Sequence, residues 1–215
     1  MNNYKALNYI YQSSGVEGAY TLLLLHGTGG DETDLLPIAA KFGEGVNVLS
    51  LRGNVSEAGM PRFFKRLAMG VFDEADVAFR THEMVAFIKE LAAKEKFDPA
   101  KLIALGYSNG ANIAGSTMLL YPDFLAGAIL LRPMQPFKKL PQPVKTSRRI
   151  PVFMSNGVED PTVRAADSKA YQQLLEDAGF AVNAFNLEAG HNLTLRDIEY
   201  AIQWFEQNFE TAAIK

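Results

Sequence analysis

Two patterns of apolar residues alternate along this chain. Short, nearly unbroken apolar runs are separated by longer stretches whose apolar residues recur at helical spacing. The runs at 20–25, 46–51, 101–107, 126–131, 151–155 and 181–187 predict strands, the first of them strongly buried, and residues 4–12 predict a first, antiparallel edge strand. Between them, helices are predicted over 34–42 with Pro37 in its first turn, 76–96, 111–120, 163–178 and 194–209. Val77, Val85, Ile88 and Leu91 share one face of the long helix, which Asp98-Pro99 is expected to end. Tyr121-Pro122 closes the third helix and Gly179 stops the fourth. Strand and helix in alternation imply an α/β fold with a mostly parallel sheet of about seven strands and helices on both faces. Residues 54–75 fit neither pattern and are expected to be irregular. Residues 133–149, rich in proline and basic side chains, are expected to be a solvated surface connector.

Composition narrows the class. The chain has 215 residues, 48% hydrophobic and 21% charged, as expected of one globular domain over 1–215. No internal repeat or linker interrupts it. A formal net charge of −3 with no basic block argues against a nucleic-acid partner. The chain contains no cysteine, which excludes disulfides, a thiol nucleophile and cysteine-bound metals, and fits a cytoplasmic location. The start Met1-Asn2-Asn3-Tyr4-Lys5 lacks the pattern of a signal peptide, and no apolar run is long enough for membrane insertion.

The most specific chemistry lies at Gly106-Tyr107-Ser108-Asn109-Gly110. Any Gly-x-Ser-x-Gly is more often an ordinary turn. Here a predicted strand precedes it and a predicted helix follows, the setting of a nucleophile elbow. Among the serines, only Ser108 has glycine two residues to either side. A side chain at either glycine is expected to strike the facing backbone, and the serine is expected to hold strained angles.

A serine hydroxyl needs a general base, and the base needs an orienting acid. There are three histidines. His191 follows the last strand, where the base of such a site belongs. His82 lies within the long helix and reads as a partly exposed helix residue. His26 reads as a structural residue that holds the turn after it. The acid is expected between serine and histidine in chain order, in the loop after the strand 151–155. Asp160 before Pro161 is the candidate, and Glu159 is its alternative. The oxyanion formed by attack needs backbone N–H donors. Asn109 and Thr28 are the candidates, the latter in the glycine-rich loop His26-Gly27-Thr28-Gly29-Gly30-Asp31. That loop lacks the Gly-Lys-Ser/Thr ending of a phosphate cradle, so no nucleotide is expected.

These motifs together resemble the small carboxylesterase and phospholipase-type serine hydrolases, which include the acyl-protein thioesterases. The resemblance covers residues 20–209. It rests on Leu25-His26-Gly27-Thr28-Gly29-Gly30-Asp31, on the Ser108 motif, on Gly157-Val158-Glu159-Asp160-Pro161-Thr162-Val163 and on Gly190-His191. The stretch from Arg52 to Phe64 is similar to a bacterial carboxylesterase subgroup. The resemblance implies an α/β-hydrolase fold without a large cap. It also implies a Ser108, Asp160, His191 triad, an oxyanion hole at Thr28 and Asn109, and no cofactor. Its implied reaction is hydrolysis of short or small esters or thioesters. Many members carry Gln where Asn109 stands, a change that leaves the backbone N–H in place.

Met60, Phe63 and Phe64 are candidates for the acyl pocket, against the alternative that they pack residues 54–75 onto the domain. An open, shallow site for a small-molecule ester is expected. Arg52, Arg62 and Arg66 read as solvated surface charge rather than as partners of an anionic substrate. Thioesterase, lysophospholipase and lactonase chemistry would use the same triad, and a ligand-binding receptor on this fold is a rival of another class. No metal is expected, since the histidines lack ligand spacing. A homodimer is compatible with the sequence.

Overall fold

A computed structural model describes residues 4–140 and 143–210. Residues Met1–Asn3, on which the signal-peptide expectation falls in part, lie outside them, as do residues 141–142 of the basic connector and the last five residues.

In chain order the strands are β1 (Asn8–Gln12), β2 (Thr21–Leu25), β3 (Asn47–Arg52), β4 (Val55–Glu57), β5 (Met60–Arg62), β6 (Arg66–Ala68), β7 (Val71–Phe72), β8 (Leu102–Tyr107), β9 (Gly127–Leu131), β10 (Pro151–Gly157) and β11 (Ala181–Leu187). The helices are α1 (Leu36–Ala39), α2 (Glu74–Glu95), α3 (Asn109–Leu120), α4 (Ala165–Asp177) and α5 (Leu195–Asn208). Seven strands form one sheet in the order β1-β3-β2-β8-β9-β10-β11. β1 is antiparallel to β3 at the edge, and every other neighbouring pair is parallel.

Alternation along β2 shows how the two faces are covered. Leu23 and Leu25 pack into the layer formed with α2, α3 and α4, where Val77, Ile88, Ile113 and Tyr171 are buried. Leu22 and Leu24 face the opposite layer, built from α1 and α5 with Leu35, Ile198, Trp204 and Phe205. Burial on both faces accounts for the unbroken apolar runs of the central strands β2, β8 and β9. The result is the expected α/β-hydrolase-type architecture.

Local chemistry moves several element ends from their expected places. Asp73 caps α2 by accepting from the Asp76 N–H at 3.1 Å, so the helix starts two residues early. It ends at Lys96, which is left-handed, before Asp98-Pro99 is reached. The Asp160 carboxylate engages the Thr162 and Val163 amides and holds α4 back to Ala165. α1 is a single turn, continued by a 3-10 turn at Ala40–Phe42 that stops at Gly43.

The expectation for residues 54–75 needs a larger correction. The stretch is two β-hairpins, β4-β5 and β6-β7. Ala58 and Gly59 both take positive φ in the first turn, and Gly70 does so in the second. Strands of two or three residues with mixed polarity carry no readable period.

β2 lies between β3 and β8. The chain leaves β2 toward one side of the sheet and later returns to the other. In open α/β sheets, this reversal places a crevice at the carboxyl ends of the strands. The loops after β2, β8, β10 and β11 supply the residues described next.

Candidate active site

Ser108 sits between β8 and α3 with φ 51° and ψ −112°. Such angles are costly for a residue with a side chain and persist only when the surroundings impose them. Two neighbours impose them here. A Cβ at Gly106 would lie 2.5 Å from the Gly110 carbonyl oxygen, and one at Gly110 would overlap the Leu25 carbonyl oxygen. With both glycines the start of α3 lies directly against the end of β2. The Ser108 N–H donates to the Leu131 carbonyl at 2.9 Å, which ties the turn to β9.

The structure brings the three predicted residues into one hydrogen-bonded chain. His191 Nε2 lies 2.8 Å from Ser108 Oγ, and His191 Nδ1 lies 2.7 Å from Asp160 Oδ2. The Asp160 side chain is buried, and its Oδ1 accepts from the Thr162 and Val163 N–H groups at 2.7 and 3.2 Å. An ionised carboxylate only accepts, so Nδ1 carries the proton and the Nε2 lone pair faces the serine hydroxyl. Glu159 is exposed, and its N–H donates to the Ala189 carbonyl. Of the two acids, Asp160 is the one that reaches His191.

The loop carrying His191 is held from beneath by a residue the sequence did not single out. Arg132 follows β9 in a left-handed conformation and is 1% exposed. Its Nε donates to the Gly190 carbonyl at 2.9 Å and its Nη2 to the Asn192 carbonyl at 3.3 Å, one on each side of His191. The same guanidinium forks onto Asp197, with Nη1 to Oδ1 at 2.6 Å and Nη2 to Oδ2 at 3.0 Å, and also donates to Ser155 Oγ. Asp197 accepts further from Ser155 and from the Thr194 N–H and hydroxyl. Burial raises the Asp197 carboxyl's pKa, but the bonds from Arg132, Ser155 and Thr194 outweigh it and hold it below the usual range.

Thr28 and Asn109 line the same cleft as the serine. Neither backbone N–H donates to a protein acceptor among the described residues. The glycine-rich loop is fixed by the buried His26. Its Nδ1 lies 2.6 Å from the Gly27 carbonyl and its Nε2 accepts from the Gly53 N–H at 3.1 Å. Burial lowers the His26 pKa, consistent with a neutral ring bonded at both nitrogens. The first hairpin braces this loop. The Gly29 N–H donates to the Pro61 carbonyl at 3.0 Å, and Arg62 Nη1 donates to Thr28 Oγ1 at 2.6 Å. Asn109 adds a tie through Oδ1, which accepts from the Phe63 N–H at 2.7 Å. His82 bonds the Tyr121 hydroxyl from the long helix, away from the cleft.

The cleft over Ser108 has a volume of about 250 Å³. Its walls differ from expectation. Phe63 and Phe64 are core residues, 2% and 0% exposed, packed on His26 and Phe72. Met60 is 41% exposed and lies near Gly29. None of the three lines the cleft. Its apolar wall is Met69, Phe72 and Met134, and its polar wall includes Arg62 and Arg66. These two arginines were expected to be solvated, yet Arg62 is 3% exposed and Arg66 is turned into the site. Arg52 does match that expectation, pairing with Glu32 and Asp31 at the surface. Among the described residues no cluster of His, Asp or Glu could hold a metal ion, and no helix is long and apolar enough to cross a membrane.

The chain is similar to known proteins over nearly its whole length. A family model described as phospholipase/carboxylesterase matches residues 10–208. A putative hydrolase of Bacillus subtilis (strain 168), MhqD, is 41% identical over 201 residues, covering 94% of this chain and 98% of that one. The crystal structure of a Bacillus cereus carboxylesterase superposes with a TM-score of 0.91 at 43% identity, over 94% of this chain and 95% of that chain. A structure of YahD with malic acid superposes with a TM-score of 0.88 at 31% identity, over 94% of this chain and 100% of that chain.

Proposed function

The chain belongs to the phospholipase/carboxylesterase family, and from that premise we propose that it is a serine carboxylesterase acting on short or small esters. The observation that carries this reading is the chain of bonds from Ser108 through His191 to Asp160, at 2.8 and 2.7 Å. His191 takes the Ser108 proton through Nε2 as Oγ attacks the ester carbonyl. Asp160 keeps the proton on Nδ1 and stabilises the imidazolium that forms. The Thr28 and Asn109 N–H groups receive the oxyanion, and their lack of other acceptors among the described residues supports that role. His191 then protonates the leaving alcohol. Water, activated by the same histidine, releases the acid from Ser108 and restores the enzyme.

Relatives named carboxylesterase and hydrolase support the same chemistry. A cytoplasmic setting accompanies the proposal, because the chain carries no cysteine. Hydrolysis of 4-nitrophenyl acetate, butyrate and octanoate by the wild type and Ser108→Ala tests it. Turnover favouring the shorter esters is expected in the wild type, with a loss of several orders of magnitude in the variant and folding retained. A folded variant with near-normal turnover would remove Ser108 from the mechanism.

A further inference from the structure

Two arginines at the cleft have no part in the hydrolytic steps. Arg62 ends β5 and Arg66 opens β6, so the two hairpins bring both to one wall. No aspartate or glutamate among the described residues lines that cleft. Glu57 stands at 2.9 Å from Arg66 Nε and 3.5 Å from Arg62 Nη1. One carboxylate shared by two guanidinium groups leaves one positive charge unmatched at the wall among the described residues. Burial and then the like charge of Arg66 lower the Arg62 pKa, partly offset by Glu57. The guanidinium nevertheless stays protonated at neutral pH. A buried cation without a full counter-charge is costly, so an anion entering the cleft would be stabilised there.

The two residues differ in what they have free. Arg62 is committed to the Phe64 carbonyl at 3.2 Å and to Thr28 at 2.6 Å, so it also braces the glycine-rich loop. Among the described residues, Arg66 has a carboxylate only on Nε. Its Nη1 meets the sulfur of Met69 at 3.2 Å, a weak acceptor that a carboxylate would displace. A guanidinium edge of that kind suits a carboxylate and offers nothing special to an alkyl chain.

Resting on the serine-esterase reading above, we infer that the cleft selects small esters that carry a free carboxylate, which Arg66 receives with Arg62 behind it while Ser108 attacks the ester carbonyl. The substrate class is a half-ester of a short dicarboxylic acid. Water cleaves its ester bond through the Ser108 acyl-enzyme to give the dicarboxylate, an alcohol and a proton, and the bound carboxylate is unchanged.

Monomethyl glutarate and methyl valerate form a matched pair that differ at the far end of the acyl chain, carboxylate against methyl. The wild type is expected to show kcat/KM higher for the anionic ester by roughly ten- to a hundredfold, the range of a charge-assisted hydrogen bond. That ratio should shrink as potassium chloride is added, and Arg66→Gln should lower it by about tenfold. Equal or faster hydrolysis of methyl valerate, with a ratio indifferent to salt, would overturn the inference while leaving the serine-esterase reading intact. If Arg66→Gln does not fold, the wild-type ratio and its salt dependence decide. Hydrolysis of neither ester, with no labelling of Ser108 by a phosphonate, would remove both readings together.

Discussion

Replacing Arg132 should separate two tasks that one side chain performs. Its guanidinium neutralises Asp197 and also grips the carbonyls of Gly190 and Asn192, on either side of His191. Arg132→Met leaves Asp197, whose side chain is fully buried, without its cation. Removing one partner of a buried pair costs about 3–5 kcal/mol, a large share of a domain's stability. Adding Asp197→Asn removes the stranded charge while an amide oxygen still accepts from Thr194. The double variant should recover most of the loss, leaving roughly 1–2 kcal/mol for the two carbonyls that no longer receive a bond. Activity should behave differently. The His191 loop has lost its grip in both variants, and a misplacement of about 1 Å costs on the order of a hundredfold. Guanidinium-chloride unfolding and kcat/KM on 4-nitrophenyl butyrate read the two quantities separately. A double variant that regains stability and full activity together would refute the positioning role. A single variant as stable as the wild type would refute the electrostatic one.

Other perturbations follow from the same geometry. The Tyr171 hydroxyl is fully buried against Gly115 and has no hydrogen-bond partner among the described residues. Tyr171→Phe should therefore raise the unfolding free energy by about 1 kcal/mol, and a loss of similar size would reveal a partner. Burial lowers the His26 pKa below 6.5, so the unfolded chain binds a proton that the folded one refuses. This contribution to stability is complete above pH 6.5 and declines as pH falls below it, by up to roughly 1.4 kcal/mol per pH unit. Unfolding midpoints taken between pH 7.5 and 5.5 should show that decline, and His26→Gln should lack it. A midpoint that rises on acidification would reverse the assignment. Asp160→Asn should keep the fold and lower kcat by roughly three to four orders of magnitude, since an amide no longer fixes the His191 tautomer. A loss under tenfold would mean that another group orients the ring.

The parts legible in the sequence were those governed by local rules. Each buried strand of the main sheet announced itself as an apolar run, because neighbours cover both faces of the sheet. The elbow was legible because Gly106 and Gly110 are required by backbone contacts within a few residues or across one strand. Arg132 was not, because its partners lie 23 to 65 residues away. A lone arginine after a strand looks the same whether it is buried or solvated. The pocket is not legible in the sequence for a related reason. Apolarity marks Phe63, Phe64, Phe72 and Met69 alike, and only the hairpins decide which of them turn toward Ser108. The same hairpins bury Arg62 and turn Arg66 into the cleft, which composition alone does not reveal.

The most direct test of the central claim is reaction of the intact protein with a fluorophosphonate, followed by peptide mapping. A single adduct on Ser108 is expected, absent from Ser108→Ala and strongly slowed in His191→Ala, because the hydroxyl reacts only when His191 Nε2 takes its proton. No adduct on the folded wild type, or equal labelling in His191→Ala, would contradict a serine nucleophile activated by this histidine.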